Sequence, residues 1–253
     1  MRLIISSVIL IFIVSWQLTS CLSDSSGNSS QDSKKKSKDD SSFPLSIPEP
    51  SGLAFSPLKD ALYTVSDKNG VIYKISLTGD ILDKIPSGAH DLEGIDIDKA
   101  NGDIWIVEEK QQRIFHLNKE GELMDKIKDV HIKTKDNSGF EGIAINGNLI
   151  YILIEKNPGT LIVYDRNSKK WDNHKLSFAD DYSGIDYDVT DNTLWIVSHE
   201  SQTLNHCRTD GSLIKSQKID VKQAEGVAVD RSTGIAWIID DGGHKLHKIK
   251  LDI

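Results

Sequence analysis

The sequence has few cysteines, no excess of positive charge and only one long apolar run, and each absence limits what the protein can be. Two cysteines occur in 253 residues, and the formal net charge is -8. Phosphate binding needs a basic face, so we expect no nucleic-acid partner. The excess of acids favours cation binding instead.

The one long apolar run lies at the N-terminus and is typical of a targeting segment. Arg2 precedes LIISSVILIFIVSW, which is too short for a comfortable membrane span but suits the core of a signal peptide. The following LTSC, residues 18–21, resembles a bacterial lipobox, in which the cysteine is lipidated and becomes the mature N-terminus. We predict a lipoprotein signal peptide over residues 1–20 and a lipidated Cys21; the alternative is a generic cleaved signal with a chance cysteine.

Lipidation of Cys21 would anchor the chain to a membrane of the cell envelope without spanning it. Leu22 follows the cysteine in place of the aspartate that retains many lipoproteins at an inner membrane, which favours the outer membrane. Cys207 is then left without a partner for an intrachain disulfide. It falls in a predicted strand, and we interpret it as a small buried hydrophobe rather than a nucleophile.

Residues 22–42 are rich in serine, lysine and aspartate and have almost nothing to bury. Such a composition predicts disorder. We expect residues 21–42 to form a lipidated tether that holds the rest of the chain off the membrane.

A repeat of about 42 residues organises the remainder of the sequence. Its glycines are 42, 48, 42 and 42 residues apart. They are Gly52, Gly94, Gly142, Gly184 and Gly226. An alternating strand follows each glycine, and each copy adds further strand patterns separated by polar turns, four strands in all. This period and strand count predict the blades of a β-propeller.

The ends of the repeat region predict how the ring closes. The fifth copy stops after its third strand, whereas FPLSI, residues 43–47, precedes the first copy. Pairing of these ends removes an open sheet edge. We therefore predict an all-β fold over residues 43–253, a five-bladed β-propeller of four-stranded blades whose last blade is completed by an N-terminal strand.

Two recurring features admit functional and structural interpretations. One aromatic recurs in each second strand, and we expect it to pack between blades rather than form a ligand-stacking ring. These residues are Tyr63, Trp105, Tyr151, Trp195 and Trp237. The second copy has six extra residues around HIKTKDNS, residues 131–138, which predict a longer loop, either a binding loop or a plain insertion.

The position before each motif glycine predicts a ring of side chains around the channel. It is occupied by Ser51, Glu93, Glu141, Ser183 and Glu225. Converging carboxylates repel one another, and a divalent cation would let all three stay ionised. Calcium prefers oxygen ligands in loose geometry, so we predict a Ca²⁺ site at the three glutamates, with serine hydroxyls, carbonyls and water filling in. The alternative is that these glutamates are solvated strand-start residues.

A second polar column follows the second strands, which antiparallel geometry returns to the same face. It comprises Asp67, Glu109, Glu155, His199 with Glu200, and Asp241. With Ser51 and Ser183, these residues would either support the metal ligands or form a polar rim; individually, each acid is also interpretable as a solvated loop residue. His199 and His244 are the histidines near this rim with a route to acid-base chemistry, although a surface or turn position is the better explanation of each.

Five short motifs together resemble the SdiA-regulated-domain family of exported bacterial proteins. They are DLEG (91–94), GFEG (139–142), EKNP (155–158), SHES (198–201) and QAEG (223–226). Over residues 43–253 the resemblance implies a five-bladed propeller distantly related to NHL-repeat propellers, a bound calcium and no established activity. It implies Glu93, Glu141 and Glu225 as site residues. The last blade departs from the pattern at DDGGH, residues 240–244, where an acid followed by proline is expected.

Three functions follow from this sequence. The first is a membrane-anchored, monomeric calcium-binding module for a small molecule or an envelope protein. The second is a calcium-dependent hydrolase of the lactonase or esterase type, with the metal polarising a carbonyl and His199 or His244 as base. The third is an interaction propeller without metal.

Overall fold

Each sequence repeat folds into one four-stranded antiparallel sheet, and the five sheets form a five-bladed β-propeller, as predicted. The computed structural model describes residues 40–128 and 138–253. Blade 1 contains β2 (Pro50–Phe55), β3 (Leu62–Ser66), β4 (Val71–Ile75) and β5 (Ile81–Pro86); blade 2 contains β6 (Leu92–Ile97), β7 (Ile104–Glu108), β8 (Arg113–Leu117) and β9 (Leu123–Ile127). Blade 3 contains β10 (Phe140–Asn146), β11 (Leu149–Ile154), β12 (Thr160–Asp165) and β13 (Lys170–Lys175); blade 4 contains β14 (Ile185–Asp188), β15 (Thr193–Ser198), β16 (Thr203–Arg208) and β17 (Leu213–Lys218). Blade 5 contains β18 (Ala224–Asp230), β19 (Ile235–Asp240), β20 (Lys245–Lys250) and β1 (Ser41–Pro44).

The ring closes through an N-terminal strand, as predicted, but that strand begins and ends earlier than expected. β1 pairs with β20 from Ser41, opposite Lys248, to Pro44, opposite Lys245. Ser41 and Ser42, which composition assigned to the tether, therefore belong to the sheet. Leu45 and Ile47 do not extend the strand because they are buried in the apolar core between blades 5 and 1.

The core consists of apolar layers between successive blades. Trp105 and Val107 of blade 2, for example, pack with Ile143 and Ile152 of blade 3. Inner strands are almost wholly buried, whereas the outermost strands are largely exposed. Four of the five recurring aromatics are buried in these layers and Tyr63 is partly buried, as a packing role requires.

Cys207 is fully buried in β16, and burial raises the pKa of its thiol to about 12. This agrees with a packing role and not with a nucleophile. The described part of the chain has no helix of the length and apolarity needed to cross a membrane. The predicted signal peptide, Cys21, the tether up to residue 39 and the longer loop at residues 129–137 lie outside the described residues.

Candidate functional site

The five inner strands begin around one opening of the central channel, which we call the carboxylate mouth. It encloses about 370 Å³. Its lining residues are Glu49, Pro50, Ser51, Asp67, Glu93, Glu109, Glu141, Glu155, Ser183, His199, Glu225 and Asp241. The structure thus brings together every residue expected for the metal site and its rim except Glu200. That side chain contacts Lys156 at 3.2 Å, and His244 does not line the mouth either.

Each of the three motif glutamates is the extra residue of a β-bulge. In blade 2, Leu92 lies opposite Glu108 and Gly94 lies opposite Val107, so Glu93 has no partner across the ladder. The same irregularity surrounds Glu141 and Glu225. A bulge redirects the side chain of the unpaired residue. This local geometry explains how an acid in an otherwise apolar alternation comes to line the channel.

The motif glycines are required because neighbouring inner strands approach backbone to backbone. A Cβ on Gly94 would lie 2.8 Å from the backbone nitrogen of Ile143, and one on Gly226 would lie 2.4 Å from the carbonyl carbon of Gly52. Neither distance leaves room for a side chain. In each acid-glycine pair, the bulge directs the acid toward the channel, and the glycine allows neighbouring inner strands to pack closely.

In the described part of the chain, the three glutamates have no lysine or arginine close enough to balance their negative charge. Burial raises the pKa of Glu93 to about 8 and that of Glu225 to about 7, and it holds the pKa of Glu141 well above the usual range. Neighbouring carboxylates raise each pKa further. Within residues 40–128 and 138–253, no lysine or arginine nitrogen lies within 4.0 Å of these three carboxylates.

The lysines around the mouth are already paired with its outer acids. Lys68 contacts Glu49 at 2.6 Å, and Lys156 contacts Glu155 at 2.7 Å. Lys110 lies 2.6 Å from Asp91 and 3.4 Å from Glu109. Three acids of the outer rim thus have a lysine partner, whereas burial raises the pKa of Asp67 and of Asp241, which have none among the described residues. The inner ring likewise needs either protons or a cation.

The two serines of the ring connect neighbouring blades. Ser51 Oγ donates to the carbonyl of Glu93 at 2.8 Å, and Ser183 Oγ donates to the carbonyl of Ala224. A hydrogen bond from Ser51 also lowers the pKa of Glu93 against the effect of burial, and the oxygen lone pairs of both serines remain open to a cation. These contacts explain why a hydroxyl suits the positions in blades 1 and 4 that lack an acid.

Asp181 is a site residue that the sequence interpretation missed. Its fully buried carboxylate accepts hydrogen bonds from Ser198 Oγ and from the backbone nitrogen of Glu200 at 3.0 Å, and it lies 3.0 Å from His199 Nδ1. His199 in turn lies 4.0 Å from Glu225. Asp181 therefore orients the one histidine that lines the mouth.

A repeat signal could have found Asp181. It lies three residues before its motif glycine, and Glu49 and Asp91 occupy the same position in blades 1 and 2. Glu49 lines the mouth, and Asp91 accepts a hydrogen bond from the backbone nitrogen of Lys110 at 2.9 Å. Gly139 and Gln223 in the other two copies conceal this acidic column.

The chemistry of the mouth fits a hard cation, although its carboxylates are spread out. Every carboxylate and carbonyl there offers oxygen, and Asp241 Oδ1 is buried without a hydrogen-bond partner. These donors match calcium, which accepts carboxylate, carbonyl and water oxygens in flexible geometry. Among the described residues, however, no three His, Cys, Asp or Glu side chains form a ready cluster for one metal ion. Water or backbone oxygens would have to complete the coordination.

Farther along the channel, the buried acids are partly compensated internally. Asp96 accepts a hydrogen bond from the backbone nitrogen of Ile145 at 2.6 Å, and Asp186 accepts one from Val229 at 2.7 Å. Lys99 Nζ lies 3.7 Å from Asp186. Both acids thus connect adjacent inner strands. These bonds offset only part of the cost of burial, which still raises the pKa of Asp96 to about 6 and that of Asp186 above its usual value.

Comparison with known proteins supports the architecture. A family model described as SdiA-regulated matches residues 46–241. A structure of streptogramin B lyase is 18% identical with a TM-score of 0.49, over 85% of this chain and 73% of that one. A chain in the crystal structure of a nidogen/laminin complex is 14% identical with a TM-score of 0.59, over 80% of this chain and 76% of that one. The nidogen/laminin chain, at this low identity, shows similarity of fold alone.

Proposed function

The chain belongs to the SdiA-regulated family, and we propose that it is a lipid-anchored envelope protein whose propeller binds Ca²⁺ in the carboxylate mouth. The bound ion would complete a site for a small molecule or an envelope protein. The observation that carries this proposal is the convergence of three bulged glutamates on one opening without a neighbouring lysine or arginine.

Glu93, Glu141 and Glu225 would hold the cation, and Asp241 with its unpartnered oxygen would assist. Leaving three buried carboxylates ionised without compensation is costly, so they take up protons when no cation is present. A divalent cation replaces those protons and offers an incoming oxygen ligand a positive centre at the channel mouth. The calcium would thus serve both stability and recognition.

The direction of β1 shows from which side the described chain enters the ring. Pro44 pairs with Lys245, close to where β19 ends at the mouth, whereas Ser41 pairs with Lys248, farther from it. The chain therefore enters the ring from the side opposite the carboxylate mouth. We propose Cys21 as the lipid-bearing residue, and its flanking sequence favours the outer membrane.

Calcium titration of the metal-free protein tests the proposal. A ligand at 100 times its Kd stabilises a fold by about 2.7 kcal/mol, which for this size of domain raises the Tm by roughly 5 to 10 °C. We expect that rise in the wild type and in the control Glu120→Gln, whose side chain is exposed in a turn, and its loss in Glu141→Gln. A wild-type Tm that does not respond to millimolar calcium or to its chelation would refute the calcium site.

The second candidate, a calcium-dependent hydrolase of the lactonase or esterase type, is favoured by the Asp181–His199 pair. Asp181 contacts Nδ1 of His199, which leaves Nε2 available to accept a proton from water at the mouth. Calcium, when bound, would polarise a substrate carbonyl. Turnover of an ester and lactone panel that is lost in His199→Gln would favour this candidate. Calcium binding without turnover would favour the binding module.

A further inference from the structure

A second cavity lies on the outer side of the ring between blades 2 and 3, and we call it the basic-aromatic groove. It encloses about 470 Å³, within the range of small-molecule sites. Trp105, Tyr164 and Trp171 contribute its aromatic surface. Its cations are Lys126, Lys128, Arg166 and Lys169.

The groove concentrates positive charge on an acidic protein. Within the described residues, none of its four cations lies within 4.0 Å of a carboxylate. Among the described residues, Asp125 is the one acid in the lining, and its Oδ1 accepts a hydrogen bond from the backbone nitrogen of Lys126. Arg113 and Lys128 add to burial in lowering the pKa of Lys126. An anion would relieve this crowding of like charges.

The interface between blades 4 and 5 provides an internal comparison. There His206 stacks on Trp195 at 4.3 Å and the Arg231 guanidinium lies 6.0 Å from the same ring. Arg231 is neutralised by Asp191 at 3.0 Å and Asp188 at 3.7 Å, and Trp195 Nε1 donates to Asp188.

The groove repeats this stacking, but a nearby acid, Asp103, lies 2.7 Å from His116 Nε2 and not beside the arginine. His116 stacks on Trp105 at 4.1 Å, and the Arg166 guanidinium lies 4.8 Å from the Trp105 ring. In the described structure, Arg166 Nε and Trp105 Nε1 both lack a hydrogen-bond partner. Arg231 is thus neutralised by two carboxylates, whereas among the described residues Arg166 has a carbonyl partner, Gly147, and no carboxylate within 4.0 Å.

A flat surface lies beside these cations. Tyr164 and Trp171 stack at 4.0 Å, and Trp171 is only partly buried. Arginine and lysine side chains commonly bind phosphate groups. An exposed aromatic face, in contrast, favours a ligand ring that can pack against it. We propose that the basic-aromatic groove binds a phosphate monoester carried on a ring that can pack on an aromatic face, either an aromatic ring or the C–H face of a sugar. The phosphate contacts the cations, and the ring packs against Trp171.

Isothermal titration calorimetry of the intact protein in about 50 mM salt tests this site. The probes are glucose 6-phosphate, phenyl phosphate, inorganic phosphate and glucose. At least one ring ester should bind tenfold more tightly than inorganic phosphate or glucose. The two esters distinguish a sugar ring from an aromatic ring. Equal affinity for inorganic phosphate and both esters, or no saturable binding of either ester up to 20 mM, overturns the proposal.

Adjacent lysines provide a matched pair of variants. Lys169 lines the groove, whereas the neighbouring Lys170 is exposed and does not. Lys169→Gln should weaken binding of the preferred ester roughly fivefold, because one charge-assisted contact is lost, and Lys170→Gln should leave it unchanged. Trp171→Leu should remove the preference for the ester over inorganic phosphate. Equal effects of the two lysine variants would reduce the groove to a diffuse cationic surface and overturn the proposal.

Discussion

The carboxylate of Asp181 lies 3.0 Å from Nδ1 of His199, so a fully buried acid positions a histidine at the carboxylate mouth. The same carboxylate accepts bonds from Ser198 Oγ and the Glu200 backbone. This pair is relevant to both proposed functions, because it fixes a polar group beside Glu225 whether the mouth binds or hydrolyses its ligand.

Asp181→Asn should destabilise the fold by about 1 to 3 kcal/mol, because an amide cannot accept all the hydrogen bonds that the buried carboxylate accepts. Urea unfolding followed by circular dichroism measures the change. Asp180→Asn is the matched control, since Asp180 is the exposed neighbour and accepts a bond from Ser201. Equal stability of the two variants would contradict the structural role of Asp181.

The glutamate ring makes the stability of the metal-free protein dependent on pH. The carboxyls of Glu93 and Glu225 titrate near 4.5 when unperturbed but have folded pKa values of about 8 and about 7. Between about pH 4.5 and pH 8, the folded state therefore binds more protons at these carboxyls than the unfolded state does. The contribution of these two carboxyls to the free energy of unfolding is complete below about pH 4.5 and is lost as the pH rises toward 8.

We therefore expect the Tm of chelated protein to fall from pH 5.5 to pH 8.5, and to fall less in Glu141→Gln. Added calcium displaces the protons, so it should raise the Tm more at pH 8 than at pH 5.5. Differential scanning fluorimetry across this range measures both trends. A Tm of the chelated protein that rises with pH would show that the glutamates are not the controlling groups.

Two inner-strand glycines should tolerate alanine to different degrees. A Cβ at Gly226 would meet the backbone of Gly52 and Leu53 at 2.4 and 2.5 Å, whereas at Gly142 the nearest atom is the Ile185 side chain at 2.9 Å. Gly226→Ala should thus cost more than the roughly 1 to 3 kcal/mol typical of overpacking, and Gly142→Ala should lie within that range. Chemical denaturation of both variants gives the comparison. A smaller loss for Gly226→Ala would contradict the close approach of blades 5 and 1.

Truncation on either side of β1 tests ring closure. A chain beginning at residue 40 keeps Ser41–Pro44, whereas one beginning at residue 45 leaves β20 without its outer partner. We expect the first to melt as the full chain does, and the second to melt earlier and to associate through its open edge. Thermal melts and size-exclusion chromatography distinguish these results. Identical melting of the two truncations would exclude a closing role for β1.

The sequence predicts the propeller well because its information is periodic. Gly52, Gly94 and their successors mark the inner strands, and the incomplete fifth copy identifies the closing partner. The boundary of β1 was less accessible, because Leu45 and Ile47 look like strand residues but are buried through contacts with distant parts of the chain.

The carboxylate mouth was also predictable from the repeat, because the residues before the motif glycines occupy equivalent positions and therefore lie at the same depth in the central channel. Asp181 was hidden because Gly139 and Gln223 interrupt its column. The basic-aromatic groove is not predicted by the repeat pattern of the sequence. It depends on how Arg166 of one blade meets Trp105 of the preceding blade, a contact between residues far apart in sequence.

The closing strand β1 determines which blade is strained first when the N-terminus is pulled. Any pull transmitted through the residues before Ser41 reaches β1 first, where its ladder with β20 and the hydrogen bond from the Lys250 backbone nitrogen to Asp40 resist that pull. β20 is linked through β19 to β18, the strand that carries Glu225. Tension at the N-terminus would therefore strain the blade that supplies one of the three mouth glutamates before it reaches the blades that supply the other two.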